Sequence, residues 1–115
     1  MEMVIHLHPE VFDIVKSGMK DVEIRVNDEK RRNLNIGDSL VFLKRPDEVE
    51  KISAKVTNLL YFKDFLDVVN YYDMERIYLK DTTKDEYVEL MKKFYSDEEV
   101  NKYGVVAIEF EKIKK

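Results

Sequence analysis

The chain has 115 residues, 44% of them hydrophobic, with 24 Asp+Glu against 20 Lys+Arg and a formal net charge of −4 at pH 7. This length suits one domain, residues 1–115, built on a single core, since such a chain buries roughly two thirds of the surface it exposes when unfolded. The absence of cysteine excludes a disulfide framework, a thiolate nucleophile and a thiolate zinc site, and the mild acidity argues against a broad nucleic-acid platform, which needs basic surface. The opening Met1-Glu2-Met3-Val4-Ile5-His6 carries an acid and no long apolar run. Neither a signal peptide nor a membrane span is expected, and the reading is of a soluble, full-length, cytoplasmic protein.

With three glycines and two prolines, each break in the chain is informative. Met3 to Leu7 reads as a strand. Pro9 then suits a first helical turn, Val11, Phe12 and Val15 form an apolar stripe, and Gly18 suits the left-handed position after the last turn. From Asp21 to Val26 a strand puts Val22, Ile24 and Val26 on one face and Asp21, Glu23 and Arg25 on the other. Asn27 to Asn33 is a charged loop, Asn35-Ile36-Gly37-Asp38 a turn, and Ser39 to Leu43 the next strand. After the Arg45-Pro46-Asp47 turn, Glu50 to Phe62 alternates through Ile52, Ala54 and Val56. Its phase slips at Asn58-Leu59-Leu60, which predicts a bulge that lets one strand serve two parts of a curled sheet.

Helices are expected from Asp64 to Tyr72, briefly at Met74 to Ile77, and from Thr83 to Tyr95. In the last, Tyr87, Leu90, Met91 and Phe94 share a face behind a capping box at Thr83 and Glu86. Ser96 to Glu99 repeats the signature and predicts a one-turn helix. The chain closes with Val105 to Phe110, apolar on both faces at its start as a central strand is. The pattern is α+β: a small curled sheet or barrel with helices packed at its mouth.

Charge is distributed unevenly along this chain. Residues 16–45 hold eight basic side chains and five acids, a net of +3, so the remainder carries −7. Within that stretch, Gly18, Lys20, Glu23 and Arg25 bring backbone freedom, a cation, a carboxylate and a planar guanidinium fork together. Facing solvent they are an ordinary surface charge pair, whereas lining a cleft they make a polar site. His6 and His8 project from one side of the first strand, but no third ligand is singled out, so no metal is expected. Of the seven tyrosines, at least five sit at core spacing, and Tyr61 and Tyr103 are freer to stack on a base. There is no GxGxxG, no P-loop and no GxSxG, and no cofactor is implied.

The ordered set Pro9-Glu10-Val11-Phe12, Gly18, Lys20, Glu23, Arg25, Asp28-Glu29-Lys30-Arg31 and Gly37-Asp38, with Tyr95-Ser96 and Tyr103 to Glu109 at the end, resembles the ASCH domain family over nearly the whole chain. The resemblance implies a PUA-like fold, a small β-barrel with helices beside a cleft, related to RNA-binding domains. It further implies that Lys20, Glu23 and Arg25 face a ligand, with Lys30 and Arg31 at the rim.

Two activities follow from the resemblance. One is a module that binds RNA, a nucleotide or a nucleoside in a charged cleft. The other is a small amidohydrolase acting on a modified nucleoside such as N4-acetylcytidine. In the hydrolytic branch a Lys, a Thr two residues before the Arg, and a distant Glu carry the chemistry. Here Lys20 is kept, Glu23 stands at the Thr position, and the distant position falls near Lys80, with Glu75 the closest acid before it. An enzyme would therefore use Glu23 as general base on water and Lys20 or Arg25 at the oxyanion. Adjacent Asp21 and Glu23 favour a charged Lys20, which only strong desolvation opposes, so Lys20 reads as a cationic anchor.

Overall fold

The computed structural model describes residues 1–113. Strand β1 (Glu2–Leu7) buries Met3, Ile5 and Leu7 and exposes the alternate residues, as period two requires. Helix α1 (Pro9–Ser17) has Pro9 in its first turn, buries Phe12 and Val15, and ends at Gly18, whose φ of 90° lies in the left-handed region. Strands β2 (Val22–Val26), β3 (Ser39–Lys44) and β4 (Lys51–Phe62) follow. Helices α2 (Phe65–Tyr71), α3 (Met74–Ile77), α4 (Lys84–Phe94) and α5 (Asp97–Tyr103) precede the closing strand β5 (Val105–Lys112). No helix among the described residues is long and apolar enough to cross a membrane.

The five strands form one sheet in the order β1-β3-β4-β5-β2. Among the described strands only β1 and β3 run parallel, joined through α1 and β2, and the other pairs are antiparallel. Residues 51–55 of β4 pair with β3, while Ala54 to Phe62 pair with β5, and the register shifts between Val56 and Asn58. The predicted bulge is thus where one strand passes from one part of the sheet to the other. The edge strands β1 and β2 do not meet, so the barrel is an open, curled half-barrel.

The expectation of a single undivided core needs correction. Strand β5 has apolar residues on both faces and divides the interior in two. Val106, Ile108 and Phe110 join Met3, Ile5, Phe12, Leu40 and Phe42 on one side. Val105 and Ala107 join Val22, Ile24, Val26, Phe65, Val68 and Tyr87 on the other. Both capping boxes form, at Thr83 with Glu86 and at Ser96 with Glu99, and the second starts a helix of seven residues rather than one turn. On α4 only Tyr87 and Met91 of the predicted apolar face are buried, and Phe94 is 60% exposed. Tyr71, expected in the core, is also exposed, because α2 turns it outward against Phe62 and Tyr72.

Candidate functional site: a charged cleft between β2 and the helices

Strand β2 is the wall from which the site is built. Its alternation sends Val22, Ile24 and Val26 into one core cluster, and Glu23 and Arg25 leave on the opposite face. That face is not solvent. Glu23 is 5% exposed and Lys20, just before the strand, is 2% exposed. The two are the only charged side chains among the described residues that are fully buried.

Burial of two charges demands partners, and all are present. Lys20 Nζ donates to the Val22 carbonyl at 2.5 Å and to the Ile77 carbonyl at 2.7 Å, and it lies 3.0 Å from Glu23 Oε1. Three acceptors match the three protons of an ammonium. The other carboxylate oxygen, Oε2, accepts from Arg25 Nε at 2.9 Å and from Nη2 at 2.7 Å. Ile77 is the last residue of α3, so the C-terminal end of a short helix faces the cation. That helix is tied to β2 by the ion pair of Arg76 with Asp21 at 2.8 Å and by the Asp21 N–H on the Arg76 carbonyl.

Protonation follows from this geometry. Burial pushes Lys20 below the ordinary lysine value, against the opposing pull of Glu23. Burial likewise works to raise Glu23, but the charges of Lys20 and Arg25 and their hydrogen bonds overcome it and hold the carboxyl at about 2. Arg25 is held above its ordinary value because Glu23 outweighs its own desolvation. Desolvation strong enough to depress Lys20 against its acidic neighbours is therefore present. Glu23, by contrast, is a firmly ionised carboxylate with little basicity at neutral pH.

The triad opens onto a cleft of about 490 Å³. Its lining combines Lys20, Glu23 and Arg25 with His6, His8 and Arg45, the aromatic side chains of Tyr78, Tyr87, Phe94 and Tyr95, and the apolar Leu7, Val11, Ile24, Ile77 and Met91. Because Lys20 and Glu23 offset each other, Arg25 and the exposed Arg45 dominate the charge facing the opening. His6 Nδ1 pairs with Glu48 at the outer side. Tyr87 is buried, and burial pushes its hydroxyl well above the usual tyrosine range.

Lys20, Glu23 and Arg25 are thus brought together as the spacing suggested. Lys30 is exposed and does not line the cleft. Arg31 does not line it either, but its guanidinium lies within electrostatic range of Arg25, Glu23 and Tyr95. Lys80 and Glu75, the nearest matches to the distant glutamate of the hydrolytic branch, line a separate pocket of about 450 Å³ with Ile14, Met19 and Glu86. Among the described residues no three His, Asp or Glu side chains gather as a metal-binding group. Sequence reasoning missed Arg45, Phe94 and Tyr95 as cleft residues. The uneven charge already pointed to Arg45, while nothing in the helical period distinguishes Phe94 from a core position.

An α+β half-barrel whose helices close a buried ion triad into a charged, aromatic-lined cleft defines the class of domain. The chain belongs to the ASCH domain family, whose sequence model matches residues 5–114. The crystal structure of hypothetical protein PH0355 is similar, with a TM-score of 0.85 and 33% identity over 98% of this chain and 100% of that one. The solution structure of protein PF0455 from Pyrococcus furiosus gives a TM-score of 0.77 and 28% identity, covering all of both chains. The crystal structure of ASCH from Zymomonas mobilis shares the fold at a TM-score of 0.67 and 17% identity, covering 96% of this chain and 66% of that one. No curated protein matches this chain.

Proposed function

We propose that this ASCH domain is a binding module whose cleft takes a nucleotide or a nucleotide unit of RNA. The observation that carries the reading is the Lys20–Glu23–Arg25 triad. It fixes the Arg25 guanidinium in a wall of the same cleft that holds Tyr95 and Phe94. A cation held by a buried carboxylate is preorganised, and aromatic faces beside it accept a planar base. Arg25 and Arg45 contact anionic oxygens, and Lys20 and Glu23 act as the support that orients Arg25.

The test is an amide-NMR titration with a nucleotide, a short RNA and N4-acetylcytidine. Shifts confined to residues 20–25, 45 and 94–95 are expected, and Arg45→Ala should weaken nucleotide binding about five- to tenfold, as loss of one charge-assisted hydrogen bond does. Silence of all these signals toward every ligand overturns the reading.

One observation favours a second reading, amide hydrolysis: burial lowers the Lys20 pKa toward the range of a working base. Against it stand the saturated Nζ, the low basicity of Glu23 and the absence of a hydroxyl at that position. Turnover of N4-acetylcytidine by the wild-type protein that disappears in Lys20→Arg, which keeps a cation beside Glu23, with the fold intact, would establish it.

A further inference from the structure

Arg31 sits in the turn after β2, where its backbone N–H bonds to Asp28 and its side chain packs half-buried. Its Nε and Nη1 have lost essentially all contact with solvent and have no hydrogen-bond partner among the described residues. This is unusual. Buried guanidinium donors are nearly always paired, and an unpaired one carries the full cost of its desolvation. The strongest charge acting on it is of the same sign: after burial itself, Arg25 is the largest influence lowering the Arg31 pKa. Asp28 offsets this only in part, and one of its oxygens already accepts the Arg31 backbone N–H. Arg25 meanwhile commits Nε and Nη2 to Glu23, which leaves Nη1 uncommitted to that carboxylate.

Two guanidinium groups in electrostatic range, one of them with orphaned donors and the other held by Glu23 and Tyr95, form an arrangement that a doubly charged tetrahedral anion completes. Among the described residues no hydrogen bond holds the Arg31 fork where it is, so it can turn onto a ligand without breaking one.

We propose that Arg31, together with Arg25, forms a phosphate subsite beside Tyr95, and that the cleft therefore selects a phosphorylated ligand over the bare nucleoside. This rests on the nucleotide-binding reading of the cleft and deepens it. The phosphate lies between the two forks, and the base extends along the aromatic wall toward Phe94. Selection acts through the phosphate, so an uncharged nucleoside engages only the remainder of the cleft.

The experiment follows the Arg side-chain Nε–H signals and the backbone amides of the wild-type protein, Arg31→Gln and Arg31→Lys. The probes are cytidine, cytidine 5′-monophosphate and inorganic phosphate, added separately. In the wild type the monophosphate should bind at least about tenfold more tightly than the nucleoside, and inorganic phosphate alone should shift the Arg31 Nε–H. Arg31→Gln should reduce the preference for phosphate to about threefold or less and leave nucleoside affinity unchanged. Arg31→Lys, which keeps the charge and loses the fork, should fall between the two.

Equal preference in the wild type and Arg31→Gln overturns the subsite while leaving the cleft reading intact. Inorganic phosphate that shifts Arg31 when neither cytidine compound perturbs the cleft supports the subsite and removes the nucleotide reading. Absence of any phosphate effect on Arg31 means that water satisfies those donors, and the proposal fails.

Discussion

Glu23 bears on stability and on site geometry through the same three contacts. Its carboxyl is held at about 2 against an ordinary value of 4.5, so the folded state favours the ionised form more than the unfolded chain does. The stabilisation is therefore fully present above pH 4.5, falls as pH drops through that range, and is lost near pH 2. Its size is about 3 kcal/mol by the usual conversion of a pKa shift. Urea midpoints measured from pH 6 to pH 2 should show this loss in the wild type and a flatter profile in Glu23→Gln. Lys20→Met is expected to be costlier. It leaves Glu23 with one cationic partner and strips the Val22 and Ile77 carbonyls of their buried donor, a loss of about 3–5 kcal/mol readable in the same urea experiment.

The positions of elements depend on a few residues with special backbone requirements. Gly104 ends α5 at φ 71° and ψ −171°, and its carbonyl accepts the Asn27 N–H, which ties the helix to the end of β2. A Cβ there would lie 3.0 Å from the Phe62 carbonyl oxygen, in a conformation that side chains rarely adopt. Gly104→Ala should cost about 1–3 kcal/mol, seen as a lowered Tm. The capping box that starts α5 is visible in the sequence, yet the contact of Gly104 with Phe62 is not, because 42 residues separate the two. The same division holds elsewhere. The capping boxes, the Gly18 stop and the bulge in β4 are local chemistry and were legible. Glu23 shows why the site was legible only in part: period two placed it beside Arg25, but the carbonyl that completes the Lys20 shell comes from α3, 57 residues from Lys20. Phe94 shows the converse. Its helical spacing matches Tyr87 and Met91, but the last turn of α4 runs past the core and over the cleft, which no periodicity reveals.

At the scale of the whole molecule, the charge distribution limits how much of a ligand can bind. The chain is at −4 overall, with +3 in residues 16–45 and −7 elsewhere, so the cleft is a local cationic site on an acidic body. Outside the cleft the net charge is negative, so a further phosphate of an RNA strand gains no net attraction from the body of the protein. Affinity for single-stranded oligonucleotides should therefore level off by two or three nucleotides, unlike that of a basic groove, which tightens as more phosphates are covered. The salt dependence should be shallow for the same reason. Contacts to two phosphates imply a slope of log K against log salt of about −1.4, compared with about −4 or steeper for six. Titrations of a mononucleotide, a trinucleotide and a decanucleotide at low and near-physiological salt measure both quantities together. A decanucleotide that binds far more tightly than the trinucleotide, with a steep slope, would show that RNA follows a path over the surface outside the cleft. A plateau with a shallow slope would place recognition at the Arg25 wall, where the buried triad holds one guanidinium in position and the acidic remainder of the surface discourages extended, nonspecific contact.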